Sequence, residues 1–188
     1  ESQEESMKRL EENREEMIAK FTADINEHET KNIEYWTHIR ADMENVKTCM
    51  NLISDEDAVR NSLQSMLSDE KDFENERRKF IKELEFYDKN DECPTCKQDI
   101  ESDHKDHIVV DRSSNIKGLD LVLTQQSDSI QQINVRLEEI NLVHKEINET
   151  QRAIQKEQNL IDSNEQYMKK VQSQIKDLEE QEHTVGDK

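Results

Sequence analysis

The chain has 188 residues, 38% charged and 31% hydrophobic, with only two glycines and one proline. Turn-formers are too few for a compact multi-element domain, and apolar residues too few for a thick globular core. A formal net charge of −19 repels nucleic acid and anionic lipid, which argues against direct DNA binding or membrane association by these residues.

So polar a composition also suits a disordered chain, and the apolar spacing decides against that. In the first arm, Met7, Leu10, Met17 and Phe21 begin a stripe at helical spacing, and Ile39, Met43, Val46, Met50 and Ile53 form a second. Ser54-Asp55-Glu56-Asp57 interrupts the spacing, and such a discontinuity shifts phase and bends or locally unwinds a coil. Val59, Leu63, Met66, Phe73, Phe80, Leu84 and Tyr87 make a third stripe that runs up to the middle of the chain. The densest basic cluster, Arg77-Arg78-Lys79, is flanked by Glu74, Glu76 and Glu83, so it offers no phosphate-binding patch.

At the centre stands Asn90-Asp91-Glu92-Cys93-Pro94-Thr95-Cys96-Lys97. Two cysteines two residues apart are half of a tetrahedral zinc site, since a tight turn aims both sulfurs at one ion. Pro94 fixes one backbone dihedral and stiffens the knuckle. The N–H groups of Thr95 and Cys96 are then placed to point at the Cys93 sulfur. Lys89 and Lys97 are the nearest cations to offset thiolate charge, opposed by Asp91 and Glu92. No second cysteine pair follows, and Cys49 stands alone 44 residues upstream, read as a small packing or surface residue.

Three readings of the pair compete. Two chains share one zinc through Cys93 and Cys96 of each; or His104 and His107 complete a site within one chain, at a spacing short for a Cys-Cys-His-His set; or the pair is a redox dithiol, which needs an α/β scaffold foreign to this composition.

Beyond the knuckle, Ser102 to Gly118 is rich in Ser, Asp and Gly and leaves room for a non-helical connection that would shift the register. Ile133, Ile140, Ile147, Ile154 and Ile161 then recur every seven residues, extended by Leu119 and Met168. Ile116, Leu123, Ile130, Leu137, His144, Gln151, Gln158 and Glu165 are their companions, an alternation of three and four that defines a coiled-coil seam. The polar companions from His144 onward read as solvated patches. After Met168 the phase slips, and Val171, Ile175, Leu178 and Val185 continue in a new register.

The expected fold is all-α: a long antiparallel coiled-coil hairpin with a Cys-x-x-Cys turn at its tip. Residues 1–88 form the ascending arm, 89–100 the hook, 101–118 the irregular start of the outgoing arm, and 119–188 the descending arm. Pairing about the turn sets Phe80 near Val109, Phe73 near Ile116 and Met66 near Leu123. With 92 residues before Cys93 and 92 after Cys96, each arm would extend about 140 Å. Opening on Glu1, the chain reads as a fragment centred on the motif. No apolar run exceeds three residues, so neither a transmembrane span nor a secretory signal is expected. Three cysteines without secretory features suit a reducing compartment, cytoplasmic or nuclear.

A central Cys-Pro-x-Cys between long heptad arms resembles the zinc hook of the SMC-like DNA-repair ATPases, the Rad-fifty family with its bacterial form SbcC. The likeness continues through Cys96-Lys97-Gln98-Asp99-Ile100, then His104-Lys105 and Ile108. On that pattern His104 opens the outgoing helix and is not a ligand. The family commonly has glycine directly after the second cysteine, where this chain has Lys97. The specific match covers about twenty residues, and the polar arms look like those of a divergent member, such as a phage recombination exonuclease subunit of the T-even type.

The resemblance implies one Zn²⁺ shared by two chains, with Cys93, Pro94, Thr95 and Cys96 at the dimer contact and Pro94 and Lys97 supporting the knuckle. It further implies ATPase heads with ATP and Mg²⁺, a nuclease partner and DNA, all engaged outside this segment. The segment itself has no Gly-rich phosphate loop and no nucleophile–base constellation, so it is expected to catalyse nothing. A structural coiled coil with an incidental cysteine pair is the alternative from another class.

Overall fold

The computed structural model describes residues 2–186, with side-chain burial given for residues 2–181. Three helices account for the regular structure: α1 (Gln3–Leu52), α2 (Glu56–Lys89) and α3 (Ser102–Gly186). The fold is all-α; among the described residues the only β-type pairing is one isolated bridge, Glu92 to Asp99. No helix is long and apolar enough to cross a membrane among those residues. The chain divides into two units, residues 1–51 with 144–188, and residues 52–143.

In the first unit, α1 opens with a capping box. The Ser2 hydroxyl accepts the Glu5 N–H at 3.3 Å, and the Glu5 carboxylate accepts the Ser2 N–H at 3.4 Å. The face turned to α3 steps through Ile18, Phe21, Ile25, His28, Asn32, Tyr35, Ile39, Asp42, Val46 and Cys49, three and four residues apart throughout. Cross-helix contacts pair rising numbers on α1 with falling numbers on α3, so the two run antiparallel: Asp24 with Tyr167, Asn32 with Asn164, His38 with Glu157, and Asn45 with Glu146.

This seam departs from the expected stripes. Met7, Leu10, Met17, Met43 and Met50 are exposed, while Ile25, Asn32 and Cys49 are buried. The reason is that polar residues occupy true seam positions, so apolar residues one step round the helix imitate a stripe. On α3 the expected slip after Met168 is absent as well. Covered positions run through Ile147, Thr150, Ile154, Glu157, Ile161, Asn164, Met168, Val171, Ile175 and Leu178 at steps of three and four. Thr150 and Asn164 take the places expected for Gln151 and Glu165, because the change of phase falls near Ile147, from where each companion precedes the next seam residue by four positions and not three. Val185, the last expected seam residue, has a side chain outside the described residues.

In the second unit, α2 covers α3 with the expected third stripe: Val59, Leu63, Met66, Phe73, Phe80, Leu84 and Tyr87 are all half-buried. Helical structure stops at residues 53–55 and restarts at Glu56. Asp55 occupies the N-cap position, but its side chain makes no cap hydrogen bond. Its carboxylate instead accepts from Arg136 Nε at 3.1 Å and Nη2 at 2.8 Å, and Nη2 also donates to the Leu52 carbonyl at 2.7 Å. One guanidinium thus serves a carbonyl orphaned at the end of α1 and the carboxylate that opens α2. Arg136 pushes the Asp55 carboxyl below its ordinary range.

Two expectations fail in this unit. Residues 102–118 are helical from Ser102 onward, not irregular. Ser102 and Asp103 suit a helix start, and Ile108, Val109, Ile116 and Leu119 pack well enough to carry Gly118, whose cost in a helix interior is about 1 kcal/mol. Space around Gly118 is open, so nothing there demands glycine. The pairing register is also displaced. Symmetry about residues 93–96 would place Glu83 opposite Asp106 and Arg77 opposite Arg112. The observed partners are Arg112 and Asp120. Arg112 also lies over the Phe80 ring, 5.6 Å from its centroid, where Val109 was expected. The connection is unequal, three residues before Cys93 and five after Cys96, which moves pairing toward higher numbers on α3.

Candidate metal centre

Residues 90–101 join α2 to α3, and their backbone bonds build the knuckle. Asn90 ends α2 twice over: its backbone N–H and its side-chain amide both donate to the Phe86 carbonyl, at 3.1 and 2.8 Å. An extended residue at Asn90 then turns the chain out of the helix. The Cys93 N–H donates to Gln98 O at 2.8 Å, and the Ile100 N–H to Asp91 O at 2.8 Å, so 91–93 and 98–100 form a short antiparallel ribbon. Between them Pro94, Thr95 and Cys96 form the turn, closed by the Lys97 N–H on Cys93 O at 2.7 Å.

Closing so tight a loop forces Lys97 into the left-handed region, with φ of 57°. That conformation is disfavoured for any residue with a Cβ. Below the ribbon, Lys105 of α3 holds Asp91 at 2.9 Å, and the His104 ring meets the Tyr87 ring edge-on at 6.3 Å.

The backbone N–H groups of Cys96 and Thr95, with the Cys96 side chain, hydrogen-bond the Cys93 sulfur and pull its pKa below the ordinary thiol value. This favours the thiolate, the form that binds metal. Cys93 is half-buried and Cys96 exposed, both free thiols. They line one hollow together with Phe86, Tyr87, Gln98, Ile100 and His104. A second hollow at Cys93 is lined by Lys89, Asp91, Glu92, Pro94 and Lys97, so two carboxylates stand among the two ammonium groups. The donor set therefore fits half of a zinc site: two sulfurs at the end of a stiff turn, with backbone amides turned to the Cys93 sulfur.

His104 lies in the first turn of α3, beside the sulfurs, and His107 is exposed one turn further on. Among the described residues no group of three or more His, Cys, Asp or Glu side chains is placed to hold a metal ion. Cys49 belongs to the other unit, buried in the seam near Glu146; burial and that carboxylate push its thiol pKa up. The aromatic floor of Phe86 and Tyr87 and the Asp91–Lys105 clamp were not anticipated. Two adjacent aromatics at the last turn before the motif were the available signal.

Compared with protein-family models, with curated proteins and with solved structures, the chain matches none.

Proposed function

We propose that this chain is a zinc-dependent tether: a long antiparallel coiled-coil hairpin whose tip supplies Cys93 and Cys96, completed by the same pair from a second copy. The observation that carries this reading is the knuckle itself, where Thr95 and Cys96 amides stabilise the Cys93 thiolate while Cys96 stands open to a partner. A bound Zn²⁺ would act structurally, drawing four thiolates together. In small peptides such sites contribute an apparent ~10–16 kcal/mol, part of which the entropy of association offsets. Within this chain, Pro94 stiffens the turn, and the ribbon of 91–93 and 98–100 orients both sulfurs.

By its resemblance to the hooks of SMC-like DNA-repair ATPases, the tether serves double-strand-break repair and recombination. Heads that bind ATP, Mg²⁺, DNA and a nuclease subunit would lie outside these residues, and this segment catalyses nothing. The test is zinc content measured alongside solution mass. The reading requires half a zinc per chain and a dimer that chelator or Cys93→Ser dissociates. One zinc per monomer, or a dimer that persists after both cysteines become serine, overturns it. In the second case the chain is a structural coiled coil with an incidental thiol pair.

A further inference from the structure

Away from the tip, α1 carries a second stripe that the described residues leave uncovered. Ile33, Trp36, Met43 and Met50 are 66%, 45%, 58% and 50% exposed. With Arg40 and Lys47 between them, they follow the alternation of three and four that marks a helix-pairing seam. The stripe lies about 100° round the helix from the seam that faces α3. On the opposite flank, His38 and Asn45 reach across to Glu157 and Glu146. One flank of α1 thus carries polar contacts to α3, and the other carries exposed apolar side chains. Glu29 and Ser54 occupy the next positions at either end, so the stripe spans five turns, about 26 Å.

Isolated exposed apolar residues are ordinary, but four at seam spacing on one flank are not. The chain's one tryptophan is among them, a residue type enriched where binding energy concentrates. The two cations define the partner. Neither Arg40 nor Lys47 has an ion-pair partner among the described residues, although the chain carries a net charge of −19. They stand one heptad apart within the apolar stripe. A surface of this kind fits a helix with apolar residues at seam positions and carboxylates a heptad apart on its edge. A second copy pairing through the same stripe would set Arg40 and Lys47 against the same two cations, which like-charge repulsion disfavours.

We propose that the Ile33–Met50 flank of α1 docks an acidic amphipathic helix from another protein. The interaction does not depend on zinc or on the tip.

The probe is a synthetic 21-residue peptide with Leu at heptad positions a and d and Glu at e and g, whose own charge opposes self-pairing. Its counterpart has Lys for Glu. Neither contains tryptophan, so the emission of Trp36 reports docking. The acidic peptide is expected to give a saturable blue shift, and the basic peptide none. Arg40→Glu with Lys47→Glu should weaken the acidic peptide at least tenfold and admit the basic one. Met43→Glu, or the milder Met43→Gln, should weaken binding at wild-type helicity by circular dichroism. Absence of a saturable shift overturns the proposal, as does binding indifferent to charge reversal. A duplex oligonucleotide producing the shift would make the partner nucleic acid and overturn it too. So would a Cys93→Ser, Cys96→Ser protein that self-associates until Met43→Glu is added, since the occupant would then be a second copy.

Discussion

Replacing Lys97 by glycine should tighten the knuckle. Lys97 is the one described non-glycine residue with positive φ, at 57°, and its N–H closes the turn on Cys93 O. A left-handed residue with a Cβ costs roughly 1–2 kcal/mol. Glycine removes that strain but loses more conformational entropy on folding, about 0.5–1 kcal/mol. The balance is a gain of about 0.5–1 kcal/mol, or a two- to fivefold shift toward the closed turn. Hydrogen exchange at the amides of Cys93, Lys97 and Ile100 reads that closure directly, since all three donate within the knuckle. Protection in Lys97→Gly should rise two- to fivefold there and stay unchanged in α1. Lys97→Ala separates the causes: it discards the ammonium but keeps the strain, so its protection should not rise. Equal protection in all three proteins, or a loss in the glycine variant, would refute the assignment of strain to this residue.

Three further outcomes follow from the packing and the thiols. Ile39→Ala and Ile140→Ala each truncate side chains at most 1% exposed and should destabilise by about 2–5 kcal/mol in thermal or urea unfolding. Exposed Met43→Ala should change stability by less than about 0.5 kcal/mol. Asn32 donates nothing to its partner but accepts the Asn164 amide at 2.8 Å inside the seam; Asn164→Leu alone should cost about 1–3 kcal/mol by stranding a buried amide, and adding Asn32→Leu should restore it. Alkylation by iodoacetamide, followed by residue-resolved mass spectrometry, should label Cys93 at a lower pH than Cys49. The Cys93 thiolate is favoured and the Cys49 thiolate disfavoured, so the Cys93 curve rises first as pH increases.

Legibility in the sequence was uneven for physical reasons. Where Leu63, Phe73, Phe80 and Leu84 fill the seam, apolar periodicity reports burial, and those positions are covered as expected. Where His28, Asn32 and Asp42 take seam positions, hydropathy points one step round the helix, toward Met43 and Met50. The cross-helix partner of Asn32 is 132 residues away, a relation no local pattern carries. The knuckle was legible because its chemistry is local: Cys93, Pro94, Thr95 and Cys96 are consecutive. The positive φ of Lys97 has no signal in the residues around it. Ser102–Gly118 misled because small polar residues favour loops on average, yet hydrophobic packing on one face outweighs that preference.

At residues 53–55 the α-helical ladder gives way to a turn, closed by the Glu56 N–H on Ile53 O at 3.1 Å, which leaves α1 and α2 as separate helical nuclei. Fraying that starts in one stops at the gap instead of running on, because the next turn does not share its ladder. Mechanical load along this strand would therefore be released in two steps, and the Arg136 guanidinium, which grips both Leu52 and Asp55, sets how readily the first step spreads to the second.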